Sequence, residues 1–197
     1  MTKYYIFGII IQAFKTKMEN SKEANKEMKI TITLPTSAYF MSGIRDFTLD
    51  MVKSTTNFEE KWAYRFQSVI DELCNNAIEY GSAPGSDIRV SFIYKKDGYL
   101  IISVEDTGTG KNKLNAAGLQ KLFNDRKAPG YAFTGIRGRG LVKIVGEWSD
   151  ELKFEDRPEG GLKISITKHL KDARKKDEGI TQKPQAEKPE QKIQLNV

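Results

Sequence analysis

The chain of 197 residues contains one cysteine, Cys74, and one histidine, His169. A lone cysteine excludes an intrachain disulfide and a cysteine-based zinc site. A lone histidine excludes His-cluster metal sites and makes any His-centred triad depend on His169. No apolar run reaches the ~18–20 residues of a membrane span, so no stable span is expected. Scarce cysteine fits a reducing, cytoplasmic setting. Apolar residues make up 39% and charged residues 29%, a lean apolar share for a packed domain.

The ends account for the leanness. Residues 171–197 contain no aromatic residue and two of the six prolines. Such a tail buries too little apolar area to offset its ordering entropy, so disorder is expected there. Residues 1–28 form an N-terminal accessory segment. An apolar stretch, Tyr4–Phe14, is flanked by Lys3, Lys15 and Lys17 and followed by a polar linker over 18–28. Three readings stay open: an interfacial or signal-like segment, an element packed on the domain, or sequence upstream of the true start at Met18 or Met28. The lack of a small-residue cleavage site disfavours the first. The remaining domain is 29–170. The ends hold 12 of 32 basic and 8 of 26 acidic residues, leaving 20 − 18 = +2 on the domain. Nucleic-acid binding needs basic residues clustered on one face, and most of the +6 total, +4 of it, sits in the tails instead.

Periodicity orders the domain. Lys29–Leu34 alternates and stops at Pro35, so it predicts a strand. Phe40, Ile44, Phe47 and Met51 recur at helical spacing, with Ser37 as N-cap. Asn57 and Glu60 suggest a capping box opening a helix over 58–80. Asp87–Tyr94 and Tyr99–Glu105 predict strands joined by a hairpin at 95–98. A glycine-bearing stretch, 111–137, holds a short helix near Leu114–Asn124. Gly140–Trp148 predicts a helix, and Glu151–Glu155 and Leu162–Thr167 predict strands around the turn 158–161. The fold class is α+β: a two-layer α/β sandwich whose sheet is mixed but mostly antiparallel, with helices on one face.

On the helix 58–80, phasing at 100° per residue puts Trp62, Phe66, Val69, Leu73 and Tyr80 on the core face. Asn76 falls at its edge, with Glu72 one turn before it, and Asp71 points to solvent. Taken alone, Glu72 and Asn76 are an ordinary i,i+4 pair at a helix margin. Two glycine motifs add to them. The strand 99–105 runs into Asp106-Thr107-Gly108-Thr109-Gly110, where a carboxylate beside small residues can accept from an amine on a closely approaching flat ligand. Gly135-Ile136-Arg137-Gly138-Arg139-Gly140-Leu141 precedes a predicted helix, where free backbone N–H groups with Arg137, Arg139 and Lys143 suit phosphate. Neither is a P-loop or a Rossmann fingerprint.

In this order, Glu72-x-x-x-Asn76-Ala77, Asp106-x-Gly108-x-Gly110 and Gly138-x-Gly140-Leu141 resemble the three sequence boxes of the GHKL (Bergerat-fold) ATP-binding superfamily over about residues 29–168. The stretch Glu72–Gly81 and the small size resemble anti-sigma-factor serine/threonine kinases of the RsbW-like type. The resemblance implies ATP and Mg²⁺ as ligands. It makes Glu72 the general base, Asn76 the Mg²⁺ ligand and Asp106 the reader of the adenine amine. Gly108, Gly110, Arg137, Gly138, Arg139, Gly140 and Leu141 would bind nucleotide under a lid over 111–137. It implies two partners, a sigma factor to sequester and an antagonist protein to phosphorylate, and leaves a homodimer as an expectation. Tyr80-Gly81 departs from the His-Gly common in such kinases. The alternative is a non-catalytic ATP-dependent interaction switch. A split histidine kinase would need a phospho-accepting histidine on a dimerising helix, and His169 follows the last predicted strand.

Overall fold

A computed structural model of the chain describes residues 27–111, 114–132 and 139–173. The apolar segment Tyr4–Phe14, most of both predicted ends, and Arg137 and Gly138 lie outside them. Strand β1 (Glu27–Pro35) leads through a 3₁₀ turn (Ala38–Phe40) into α1 (Met41–Thr55) and α2 (Glu60–Asn76), which ends in a π turn (Ala77–Gly81). The hairpin β2 (Asp87–Lys95) and β3 (Tyr99–Glu105) comes next, then α3 (Ala116–Lys127). A second π turn (Leu141–Val145), the short α4 (Gly146–Trp148), β4 (Glu151–Asp156) and β5 (Leu162–His169) complete the order.

The five strands form one sheet in the order β1-β2-β3-β5-β4. All four ladders are antiparallel, the limiting form of the expected, mostly antiparallel sheet. Alternation decides which face carries the helices. Ile88, Val90, Phe92 and Tyr94 of β2 and Leu100, Ile102 and Val104 of β3 are buried, and these positions point to one side. Opposite them α1 contributes Ile44, Phe47 and Met51, and α2 contributes Trp62, Phe66, Val69 and Leu73, all buried. The Phe47 and Phe92 rings, 5.6 Å apart, join helix layer to sheet. On the other side Thr31, Ser91, Ser103 and Ser165 align across four strands, so that face is polar at its centre.

Several local expectations are corrected. Ser37 caps as expected, its side chain accepting from Tyr39 N. The Asn57–Glu60 capping box is not formed. Helix α2 starts one residue after Glu59 without a side-chain cap; Asn57 Nδ2 instead donates to Asp97 Oδ1 in the β2–β3 turn at 2.5 Å, and Glu60 pairs with Lys53. Tyr80 leaves the core face and is 37% exposed. Its phase assumed 3.6 residues per turn, and the π turn over 77–81 adds a residue to that turn. Asp71 is half-buried and faces Arg45 of α1 at 3.5 Å rather than open solvent. At the domain edges, Glu27 and Met28 belong to β1, and residues 170–173 form a helical turn whose Leu170 and Ala173 are buried.

One buried ion pair closes the core at its lower rim. Lys168 sits on the helix side of β5 with no exposure. Its Nζ is 2.6 Å from Asp150 Oδ1 and 4.7 Å from the centroid of the Trp62 ring. The other Asp150 oxygen accepts from His169 N at 2.7 Å. Removing the carboxylate would strand a desolvated ammonium. We therefore expect Asp150→Ala to lower unfolding free energy by about 3 kcal/mol, measured by urea denaturation, and Asp150→Asn to cost less because its carbonyl still accepts.

Candidate nucleotide site

The C-terminal end of α2, the end of β3 and the start of β5 meet around one cleft of about 320 Å³. Glu72, Asn76 and Asp106 line it, as do Ala77, Tyr80, Gly81 and Gly108. Val104, Leu162 and Ile164 give it an apolar floor from the sheet. Leu114, with Leu119, Leu122 and Arg126 of α3, gives it a roof. A flat heteroaromatic ring suits this mixture of apolar walls and few polar groups.

Asp106 is 7% exposed and firmly held. Its Oδ1 accepts from Gly108 N at 2.8 Å and from Leu162 N at 3.1 Å. Its Oδ2 takes no hydrogen bond among the described residues and lies over the Gly81 Cα, where any Cβ would collide with the carboxyl. The loop after Asp106 is stitched to the end of α2. Ser82 Oγ accepts from Thr107 N at 3.1 Å, Thr109 Oγ1 accepts from Ala83 N at 3.0 Å, and Gly110 N donates to Gly81 O at 3.2 Å. Gly108 and Gly161 lie back to back at positive φ, +66° and +85°, and a Cβ on Gly108 would stand 2.5 Å from Gly161 N.

At the other end of the cleft Asn76 Nδ2 donates to Glu72 Oε1 at 2.9 Å, which leaves Asn76 Oδ1 for another partner. The Glu72 carboxylate fits against the bare Cα of Gly140, and a Cβ there would overlap it. Both π turns border this end, one after Asn76 and one after Gly140. No group of three or more His, Cys, Asp or Glu able to hold a metal occurs among the described residues. A metal would therefore rely on ligand oxygens as well as Asn76. Mg²⁺ takes that mode readily, with one or two protein oxygens, phosphates and water.

Of the predicted site residues, the fold brings Glu72, Asn76, Asp106, Gly108 and Leu141 onto the cleft wall. Gly140 stands just behind Glu72. Gly110 is not on the wall; its place is against the Tyr80 backbone, where its lack of a side chain is required. Arg139 is exposed and also off the wall. The short helix expected within 111–137 is α3, and it is packed against the domain. Asn115 caps α3, Ala116 N donates to Asp156 Oδ1 at 2.8 Å, and Phe123 packs at a tilt on Phe154 with centroids 5.9 Å apart. Three contributors were missed: Gly161, Arg126 and the Ser82–Thr107–Thr109 hydroxyls. The Gly160-Gly161 doublet before a strand was the legible signal of close backbone approach. Leu119, Leu122 and Arg126, spaced three and four apart, mark one face of α3.

A profile of the family described as histidine kinase-, DNA gyrase B-, and HSP90-like ATPase matches residues 63–172, more than half of the chain. The chain belongs to this family. The matched span takes in α2 from its fourth residue onward, both hairpins and every described residue of the cleft. No curated protein matches the chain significantly. Membership makes this an ATP-binding domain of the GHKL type, and the cleft fits: a held carboxylate with one open oxygen, apolar walls, and an amide oxygen at the far end. Among the described residues no helix is long and apolar enough to cross a membrane.

The two backbone donors on Oδ1 set the outcome of Asp106→Asn. The asparagine must keep its carbonyl oxygen toward them, so its NH₂ replaces Oδ2 and would meet an adenine amine placed there donor against donor. If Asp106 reads the adenine amine, loss of the charge-assisted hydrogen bond costs about 1.5–3 kcal/mol, roughly 10–150-fold in affinity. Calorimetric titration with Mg-ATP reads it, and unchanged affinity would remove Asp106 from the adenine end.

Proposed function

We propose that this protein is a cytoplasmic serine/threonine kinase of the anti-sigma type, which phosphorylates an antagonist protein and sequesters a sigma factor. The observation that carries the reading is the pairing of Glu72 with Asn76 at the far end of the cleft from Asp106. With adenine at Asp106, a triphosphate running along the cleft ends at this pair. The lone buried cysteine accords with a reducing compartment.

The residues then divide the work. Asp106 and the apolar floor bind and orient the base. Asn76 Oδ1 would hold Mg²⁺ together with phosphate oxygens, and the bound ion would offset charge developing on the transferring phosphoryl group. Glu72 accepts the proton of the incoming serine or threonine hydroxyl as its oxygen bonds to the γ-phosphorus and the bond to the bridging oxygen breaks, ADP leaving. Leu119 and Leu122 of α3 keep water from the cleft. A second reading, an ATP-dependent interaction switch without transfer, draws support from the engaged state of Glu72. One of its oxygens accepts from Asn76 while the carboxylate rests on Gly140.

Transfer of ³²P from ATP onto antagonist-type proteins of the same organism separates the two. Glu72→Gln should bind Mg-ATP within a few-fold of wild type while transfer falls by about 10²–10⁴, the usual worth of a general base. Asn76→Ala should instead weaken the Mg²⁺-dependent part of binding. Wild-type transfer rates in Glu72→Gln would sink the base assignment. Tight ATP binding with no transfer to any such protein would leave the switch.

A further inference from the structure

The end of the β3–β5 ladder is built in an unusual way. Asp106 N donates to Leu162 O at 2.9 Å. An antiparallel pair that makes one such bond ordinarily makes its reciprocal, here Leu162 N to Asp106 O. That reciprocal bond is replaced. Leu162 N goes to the Asp106 side chain, at Oδ1, so the carboxylate stands in for its own carbonyl. The displaced carbonyl is then accepted into a different contact: Arg157 Nη1 donates to Asp106 O.

Arg157 is held for this task. Its side chain is only 16% exposed and its Nε lies 3.4 Å from Glu105 Oε2, an oxygen shared with Arg89 at 3.1 Å. Its backbone shapes the β4–β5 turn: Arg157 N donates to Gly161 O and Arg157 O accepts from Gly160 N, both at 3.0 Å. That turn is the one that presses Gly161 onto Asp106 and Gly108. Arg157 does not line the cleft.

We infer that Arg157 is a positioning residue for the nucleotide base: by taking the Asp106 carbonyl, it frees Leu162 N to anchor the Asp106 carboxylate. Without the guanidinium, the carbonyl is a buried acceptor lacking a partner and competes for Leu162 N. The carboxylate then loses one of its two anchors, and its open oxygen loses a fixed direction. The consequence is specific. Adenine presents an amine to that oxygen and guanine presents a carbonyl in the corresponding place, so a loosened carboxylate weakens ATP more than GTP.

The inference rests on Asp106 facing the base, and the test separates the two claims. In the nucleotide-free protein, Arg157→Gln should raise amide hydrogen exchange of Gly108, the remaining partner of the loosened carboxylate, by tenfold or more, with Val104 and Ile164 unchanged. In calorimetry the same variant should bind Mg-ATP about 5–50-fold more weakly and discriminate less between ATP and GTP. Arg157→Lys, which retains one donor, should recover most of both. Arg89→Gln, which loses the shared Glu105 contact without touching Asp106, should stay within twofold in affinity. A general loss of stability would raise exchange along the whole ladder and leave the ATP:GTP ratio alone, which would overturn the positioning role. So would wild-type exchange at Gly108. If the wild type binds neither nucleotide while the local exchange effect appears, Arg157 still positions the carboxylate and the nucleotide reading fails.

Discussion

The substitution of the Asp106 carboxylate for its own carbonyl in the β3–β5 ladder is the constraint around which the cleft is organised. A carboxylate on a loop wanders among rotamers. Here it is written into the hydrogen bonding of the sheet, held by two backbone N–H groups. Everything near it must then be small. Gly81 clears the side for its second oxygen, and Gly108 and Gly161 admit the turn that supplies the backbone donors. The apolar floor follows from the same geometry, because the inner-face residues Val104 and Ile164 are the neighbours of Asp106 and Leu162 along their strands.

The far end of the cleft depends on the helix layer. Trp62, Phe66 and Leu73 fix the distance of α2 from the sheet, and Glu72 and Asn76 occupy the margin of the same stripe. Their orientation is a packing result before it is a chemical one. The π turn after Asn76 lets the chain leave the helix in time to lay Gly81 over Asp106; a regular helical turn would carry it onward and place Tyr80 on the inward face that Leu73 shares. The roof is anchored separately, through Phe123 on Phe154 and Asp156 on the first turn of α3.

Most of the fold was legible because it rests on periodicity. β3 was predicted over the residues it occupies, and β1, β2, β4 and β5 to within two residues at each end. What failed were features set by one extra residue or by distant partners. The π turn is invisible to a 3.6-residue period, so Tyr80 was misplaced. Asn57 had a plausible local partner in Glu60 and took a remote one, Asp97, instead. In the site, motif order placed Glu72, Asn76 and Asp106, all from continuous local patterns. Arg157 carries no local signal at all: an arginine before Pro158 reads as a solvated turn residue until β3 and β5 are seen side by side.

The contact between Gly108 and Gly161 has an implication for how such a sequence can change over time. When two bulky side chains collide, a substitution at one can be excused by shrinking the other. Here both members already lack a side chain, and neither can shrink further. The pair has no compensating path: a methyl group at either position must be absorbed by moving a strand end. Two codons far apart in the gene are thereby bound to the same letter, each by the backbone of the other, for as long as the turn keeps its seat on the cleft.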